Sequence, residues 1–409
     1  MKILIPVFGM MSINIFFAIC GLIGYEYGGI ENSKIYIIYC ITIAIFNIYI
    51  CFKNIIANNK INKQDCLFIM APFYASILYL SRGIPNGYIN INSTKFFIYF
   101  ILWSVPAIYA AIYVCRKKLL YSIVKWIDII MIIYAVSIIF TIIIPFFKGI
   151  KFDTLGGSTY QNASYIAANA YGIILYFLFY GKNYERFKFT QTKIYFCISL
   201  VFICLQLIGI FISGGRGGIV LTFVYTILIS FLVIKEKNKK NILVYFVYIL
   251  LIITIFTILI PILMKNDVFI SGYKRVFEFI SSDGSINWDG TSNRNNVYKN
   301  AIDLIIEKPI LGYGVFGYLS ISPNPHNLIL EILIGGGIVY LILSIIFSFG
   351  IFIKMLNLIK SDKRNLILLI LMLYPITMLM FSGTYISNSE FWFVLTCIIV
   401  QPINRNIKV

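Results

Sequence analysis

Long apolar segments alternate with short polar segments along the whole chain. Most of the apolar segments are about 20 residues long, which is the length of an α-helix that crosses a hydrocarbon layer roughly 30 Å thick. The polar segments between them carry most of the charged residues. The pattern predicts about twelve transmembrane helices, near residues 3–23, 35–56, 66–81, 95–115, 119–147, 163–180, 193–212, 217–234, 241–264, 328–353, 365–381 and 388–402.

Composition supports the same fold class. The chain is 60% hydrophobic and 12% charged, whereas about 25% of the residues of a soluble domain are charged. We therefore predict an all-α polytopic membrane protein with one long, partly helical outer loop, residues 265–327. The net charge of +18 comes from short basic clusters between apolar segments. Such clusters are typical of cytoplasmic loops, so we expect no nucleic-acid binding.

The distribution of lysine and arginine predicts the orientation. About 21 of the 34 basic residues lie in one alternate set of connections and in the two terminal segments. Because cytoplasmic loops carry the excess of positive charge, both termini are predicted to be cytoplasmic. The loop 265–327 then faces the outer side. The expected sections are N-terminal transmembrane helices in residues 1–192, a core in residues 193–353 and C-terminal transmembrane helices in residues 354–409.

Cofactor and metal motifs are not found in the sequence. The eight cysteines include no C-x-x-C pair and none lies in a predicted outer loop, so we interpret them as packing residues. One histidine and no paired thiols do not make a usual zinc site. The sequence contains no P-loop and no dinucleotide fingerprint. We expect neither a metal nor a cofactor.

A glycine-rich turn, Ser213–Gly218, separates the seventh and eighth predicted helices and contains Arg216. Glycines let a backbone approach a ligand closely. A guanidinium beside a helix N-terminus favours phosphate oxygens. The turn is therefore a candidate anion site. The alternative is a flexible turn whose single arginine extends to the membrane interface.

The long outer loop contains further cations, Lys274 and Arg275 among them. Ser292 is placed to cap an amphipathic helix from about residue 293 to residue 307. Arg294 lies in the first turn of that helix, where a positive charge is unfavourable to the helix dipole. A bound anion would explain this position.

His326 is the only histidine in the protein. Pro323 and Pro325 restrict the backbone around it. The ordinary pKa of an imidazole is near neutrality, so His326 is a candidate general base for a hydroxyl group. The alternative is a structural histidine.

Several motifs occur in a characteristic order over residues 200–345. This order resembles the O-antigen ligase/O-antigen polymerase family of bacterial membrane glycosyltransferases. One departure is that two glycines separate Ser213 from Arg216, where the family often has serine directly before arginine. The motifs are the turn Ser213–Gly218, Arg294, the segment Ile306–Gly314, the segment His326–Glu331 and the segment Gly335–Ile338.

The resemblance implies a GT-C-like arrangement and transfer of a glycan from undecaprenyl diphosphate to an acceptor hydroxyl. It also implies roles for individual residues. Arg216 and Arg294 would hold the diphosphate, with Arg275 and Lys274 as further cations, and His326 would act on the acceptor. Three other residues would support the site: Tyr313, Asn327 and Glu331.

The resemblance favours a polysaccharide polymerase of O-antigen or capsule biosynthesis in the bacterial cytoplasmic membrane. Its expected partners are lipid-linked donor and acceptor glycans, the bilayer, a flippase and a chain-length regulator. Alternatives are an O-antigen ligase or another lipid-linked glycan transferase. A glycan flippase is an alternative of a different class. A transporter should place ionisable groups in mid-membrane, whereas these predicted spans are nearly free of charge, Asp128 being a rare acid near one.

Overall fold

The computed structural model describes residues 2–27, 30–58, 63–150, 154–236, 238–265, 270 and 294–403. Within these ranges the chain consists of helices and their connections, with no β-sheet, which confirms the predicted all-α membrane class. The principal helices are α1 (Leu4–Leu22), α2 (Ile30–Asn58), α3 (Lys63–Ile69), α4 (Ala71–Asn86), α5 (Ile91–Arg116), α6 (Leu120–Phe147), α7 (Tyr160–Tyr180), α8 (Lys193–Ser213), α9 (Arg216–Lys235), α10 (Lys239–Leu263), α11 (Arg294–Glu307), α12 (Leu328–Ser361), α13 (Leu366–Phe381) and α14 (Ser389–Val400).

Nine helical stretches in the described ranges are long and apolar enough to cross a membrane. They correspond to nine of the predicted spans. The third predicted span, 66–81, is instead divided into α3 and α4 at Met70. Shorter apolar helical stretches, Asn241–Thr254 and Ser389–Val400, lie at the ninth and twelfth predicted spans. The count of about twelve stays a prediction.

Polar side chains fix where several helices begin. Each accepts a hydrogen bond from a backbone N–H of the first helical turn, which would otherwise have no partner. Asn90 and Ser93 form a reciprocal capping box at the start of α5. The other described side-chain caps of these principal helices are Thr159 for α7, Thr192 for α8, Asn327 for α12 and Asn388 for α14.

The chain forms two compact units that are discontinuous in sequence. The first contains Met1–Ser12, Ile37–Leu120 and Thr291–Val409, and the second contains Ile13–Tyr36 and Tyr121–Gly290. The three sections predicted from the sequence follow chain order, and their boundaries stay a prediction.

In the first unit, α5 packs against α14, and α13 also packs against α14. The Ser104 hydroxyl donates to the carbonyl of Ile386 at 2.6 Å, and the Ser389 hydroxyl donates to the carbonyl of Met10 at 2.7 Å. These buried bonds fix the connection between α13 and α14, which contributes to the candidate site described below.

In the second unit, α7 is the most enclosed of the candidate membrane helices and contacts both α8 and α9. Gly172 allows the close approach of α9, because a Cβ atom there would lie 2.1 Å from the ring of Tyr225. The Tyr225 hydroxyl donates to Asn169 Oδ1 at 3.0 Å. These two polar side chains are thus paired between helices, as a low-dielectric interior favours.

Asp128 of α6 is buried and paired. Its Oδ2 atom lies 2.8 Å from Arg186 Nη2, and its Oδ1 atom accepts a 2.8 Å hydrogen bond from Tyr195. A buried carboxylate needs such partners, since an isolated charge is costly in an apolar interior. These contacts explain the buried carboxylate of Asp128 by its role in the structure, without a role in binding a transported substrate.

Candidate active site

The segment before α12 holds His326 in an unusual backbone conformation. Its φ angle is +54°, and Lys118 is the only other residue besides glycine with a positive φ in the described ranges. This left-handed conformation costs a residue other than glycine about 1–2 kcal/mol. The cost is partly offset by Asn324, whose Oδ1 atom accepts a 2.6 Å hydrogen bond from the backbone N–H of His326.

Asn327 fixes the backbone that follows His326. Its Oδ1 atom accepts hydrogen bonds from the backbone N–H groups of Ile329 and Leu330, at 3.0 and 3.2 Å. Asn327 is therefore the N-cap of α12. The predicted support residue acts by starting the helix at a defined point, directly after His326.

Arg294 is the first residue of α11, as the helix predicted from about residue 293 requires; its predicted cap, Ser292, lies outside the described residues. The Arg294 Nη2 atom donates a 2.6 Å hydrogen bond to the carbonyl oxygen of Phe381, the last residue of α13. The C-terminus of a helix carries a partial negative charge that attracts a cation. This contact accounts for an arginine at the N-terminus of α11 without a bound anion.

The electrostatic environment of His326 includes Arg294. His326 is exposed at one side, yet the protein atoms around its imidazole remove part of its water. This partial burial, followed by the positive charge of Arg294, lowers the pKa of His326 from its ordinary value of 6.5. The imidazole is therefore mainly neutral at pH 7, the form that accepts a proton.

Glu331 lies one turn into α12 and is buried. Its Oε1 atom accepts a 2.8 Å hydrogen bond from the hydroxyl of Tyr318 and a second hydrogen bond from Thr384. Glu331 thus links α12 to the segment after α11 and to the connection between α13 and α14. Its described side-chain partners are these two hydroxyl groups.

The regular geometry of α12 is interrupted at Gly337, where φ is +63°. The segment 309–314 lies against this break and pairs with its backbone. Tyr313 N–H donates to the carbonyl of Ile334 at 2.9 Å, and Ile338 N–H donates to the carbonyl of Pro309 at 2.8 Å. A broken membrane helix needs such partners because lipid offers none.

This pairing explains why two glycine motifs occur together in the sequence. A Cβ atom at Gly337 would lie 2.3 Å from the carbonyl carbon of Ile310, and one at Gly312 would lie 2.5 Å from the carbonyl oxygen of Ile334. Both glycines also have positive φ. The segment 309–314 thus turns at Gly312, directly against the break in α12. Tyr313 is buried in this contact.

The turn with Arg216 belongs to the second unit. Gly214 ends α8 with a φ of +67°, and α9 begins at Arg216, which is half-buried. The Ser164 hydroxyl of α7 donates to the carbonyl of Gly215 at 3.0 Å. Cβ atoms at Gly215 and Gly218 would lie 2.4 and 2.1 Å from side-chain atoms of Ser164. These glycines are therefore required for packing against α7, whatever ligand Arg216 contacts.

The predicted site residues are thus only partly brought together. His326 interacts electrostatically with Arg294, and Asn327 and Glu331 fix the helix that follows, all in the first unit. Arg216 lies in the second unit, so a joint site with His326 stays a prediction. Lys274 and Arg275 lie outside the described residues.

Some residues of the site were not predicted. Asn324 has a local signal, because an asparagine often accepts a hydrogen bond from the N–H two residues later. Phe381, Tyr318 and Thr384 have no such signal, since their partners are distant in the sequence. Among the described residues, no group of three or more His, Cys, Asp or Glu side chains is placed to hold a metal ion.

A comparison with family models places this geometry in a known context. Residues 199–345 match the family described as O-Antigen ligase. We call this segment the O-antigen ligase domain, after the family that it matches. The predicted resemblance to the O-antigen polymerase/ligase family is confirmed there. No curated protein matches the chain significantly.

The O-antigen ligase domain contains Arg216, Arg294, His326 and the broken part of α12. Members of this family are glycosyltransferase-like enzymes that act on lipid-linked glycans. The domain lies in a chain with nine candidate membrane helices in its described part. The protein is thus a multi-pass membrane protein, and the match of residues 199–345 supports a ligase/polymerase-type function.

Proposed function

We propose that the protein is a polysaccharide polymerase that joins undecaprenyl-diphosphate-linked repeat units at the outer face of the bacterial cytoplasmic membrane. The observation that carries this proposal is the environment of His326 within the O-antigen ligase domain. The residue is held in a strained conformation by Asn324, and its pKa is lowered beside Arg294. Strained backbone that the surroundings hold in place is common at functional sites.

In the proposed reaction His326 removes the proton from an acceptor hydroxyl of one lipid-linked glycan. The hydroxyl oxygen forms a bond to the anomeric carbon of the donor glycan. The bond between that carbon and the diphosphate oxygen breaks, and undecaprenyl diphosphate leaves with the bonding electron pair. A neutral imidazole suits the first step, since a base must hold no proton before it acts.

The leaving diphosphate gains negative charge, which Arg294 and Arg216 would stabilise, with Arg275 and Lys274 as further cations. Arg294 can act in this way while it contacts Phe381. A guanidinium has five N–H donors, and the bond to the Phe381 carbonyl uses one of them. The other donors can meet phosphate oxygens. The reaction as proposed uses no metal and no cofactor.

A polymerase of this kind needs other proteins of the same process. A flippase would move the lipid-linked repeat unit to the outer face, and a chain-length regulator would set the length of the product. Because both glycans are lipid-anchored, diffusion in the membrane plane would bring them together, and their shared anchoring reduces the entropic cost of the encounter.

The test is genetic complementation with glycan length as the readout. A strain that lacks the protein receives the wild type, His326→Ala, Arg294→Gln or Lys299→Gln at equal membrane abundance. Lys299 is the matched control, an exposed cation on the same helix α11 as Arg294. We expect the wild type and Lys299→Gln to restore a ladder of chain lengths and the other two variants to leave single repeat units.

Other outcomes would contradict the proposal in distinguishable ways. Long chains that accumulate on the lipid carrier in the deletion strain would identify a ligase, the activity after which the matching family is named. Normal ladders with His326→Ala would show that His326 is not the base. Repeat units trapped on the cytoplasmic side would identify a flippase.

A further inference from the structure

A cavity of about 360 Å³ lies in the first unit, between the end of α4 and the segment that follows α11. This volume is within the range of about 300–1,000 Å³ that is usual for ligand sites. Its lining includes two cations and three other polar side chains, and no acidic residue: Arg82, Lys308, Asn86, Tyr88 and Tyr313. His326, Arg294 and Arg216 are not among the lining residues.

Lys308 is held at a defined point of this cavity. Its Nζ atom donates a 2.6 Å hydrogen bond to the hydroxyl of Tyr88 and lies 4.5 Å from the ring centroid of Tyr313. It also lies 5.3 Å from the ring centroid of Tyr88. An ammonium group has three donors, so two are left for a ligand. The aromatic faces attract the charge without neutralising it.

Arg82 supplies the second cation from the last turns of α4, and its side chain is exposed. Its aliphatic stem packs against the backbone at Gly314, where a Cβ atom would lie 3.0 Å from Arg82 Cβ. In the described part of the chain, no carboxylate lies within 4.0 Å of Arg82 or Lys308. Glu307 is nearby, since its charge adds to burial in raising the pKa of Tyr313 to about 12, but it does not line the cavity.

The loop between α4 and α5 lines part of the cavity and packs on the segment that precedes His326. Asn90 Nδ2 donates to the carbonyl of Ser320 at 3.1 Å, and a Cβ atom at Gly317 would lie 2.9 Å from the ring of Tyr88. The loop between α4 and α5 is thus packed on residues 314–320. A ligand in the cavity would therefore contact Tyr88, whose ring packs on the segment whose Tyr318 bonds to Glu331.

We propose that this cavity is a binding site for an anionic oxyacid group, a phosphate or a carboxylate, with Arg82 and Lys308 as its ligating residues. Two cations in a lining that contains no acidic residue favour such a group electrostatically. The group can belong to an acidic sugar of the glycan or to a lipid headgroup. Binding of an acidic sugar rests on the proposed function, whereas the binding of an anion as such does not.

The test measures binding directly. Purified full-length protein in phosphatidylcholine nanodiscs is titrated with glucuronate, with glycerol 1-phosphate and with neutral glucose at low ionic strength. We expect both anions to bind and glucose not to bind. Arg82→Gln and Lys308→Gln should each weaken anion binding at least about tenfold, the loss expected for one charge-assisted hydrogen bond. Lys299→Gln, which removes an exposed lysine of the neighbouring helix, should bind both anions like the wild type.

A second measurement separates the two sources. Native mass spectrometry with added phosphatidylglycerol counts bound lipids, and loss of one lipid in Arg82→Gln would identify a headgroup as the occupant. Equal lipid counts together with weaker glucuronate binding would identify the glycan. The proposal is overturned if neither anion binds the wild type, if glucose binds equally well, or if Arg82→Gln binds both anions normally. These results do not depend on the polymerase assay.

Discussion

The guanidinium of Arg294 donates a 2.6 Å hydrogen bond to the carbonyl oxygen of Phe381, and so joins the start of α11 to the end of α13. The two residues are 87 positions apart in the sequence. The carbonyl groups at the C-terminus of α13 carry a partial negative charge and lack donors within the helix. The Arg294 guanidinium meets this charge and donates a hydrogen bond to one of these carbonyls. The contact also holds a positive charge close enough to His326 to influence its pKa.

The first prediction concerns that influence. Arg294→Gln should raise the pKa of His326, because a nearby cation disfavours the imidazolium form. His326 is the only histidine, so NMR of protein labelled at histidine and purified without a histidine tag reports this group alone. Lys299→Gln serves as the control of equal charge change. An unchanged pKa in Arg294→Gln would show that Arg294 does not act on the imidazole.

The second prediction concerns pH. The folded pKa of His326 is lower than its ordinary value of 6.5, so protonation favours the unfolded state. The stabilising effect of the neutral imidazole is present above pH 6.5 and is lost as the pH falls through the folded pKa. Polymer formation should fall over the same acidic range. Unfolding midpoints and polymer yield between pH 5 and 8 test this, and His326→Gln should lack this component of the stability profile.

The third prediction concerns Asn324, which is buried and accepts the hydrogen bond from His326 N–H. Asn324→Ala should lower the free energy of unfolding by about 1 kcal/mol, the usual value of one hydrogen bond. It should lower activity by roughly tenfold or more, because small displacements of a reacting group are costly. Asn324→Asp retains an acceptor and should retain more activity. Ser322→Ala, two residues earlier, is the control, and equal losses in both alanine variants would argue against a specific role.

The fourth prediction concerns the break in α12. Gly337→Ala should destabilise the protein by about 1–3 kcal/mol, because alanine is strained at positive φ and its Cβ would meet the backbone of Ile310. Gly350→Ala in the same helix is the matched control, since a Cβ there meets no atom within 4 Å. It should be neutral or slightly stabilising. Thermal unfolding in detergent measures both, and equal effects would contradict a built-in break.

The fifth prediction distinguishes packing from ligand contact at the turn before Arg216. Gly215→Ala should destabilise the protein, because the new Cβ would lie 2.4 Å from Ser164 Cβ. Ser164→Gly removes that obstacle, so the double variant should lose less stability than the two single variants together. Unfolding free energies of the four proteins complete the cycle. Additive losses would mean that Gly215 and Ser164 do not pack against each other.

Part of the candidate site was predictable from local sequence. The sequence predicted an amphipathic helix from about residue 293 to residue 307, and the structure has α11 at Arg294–Glu307. His326 and its stiff flanking residues predicted a fixed candidate base, and the capping role of Asn327 follows from its position before an apolar run. The unfavourable position of Arg294 at a helix N-terminus also follows from the sequence, but its explanation by Phe381 needs a contact that no local pattern contains.

Hydropathy, helix length and motif order are local properties of the chain, so the amino-acid sequence predicts the membrane class, most of the helical spans and the family that the ligase domain matches. The roles of the glycines and of the buried polar groups follow only from the folded chain. Gly337 lies against the backbone of Ile310, and the carbonyl of Gly215 accepts a hydrogen bond from the Ser164 hydroxyl. The carboxylate of Glu331 accepts hydrogen bonds from Tyr318 and Thr384. These contacts join residues that are far apart in the sequence. They form because the whole unit packs in one way, so the residues nearby in the sequence do not predict them.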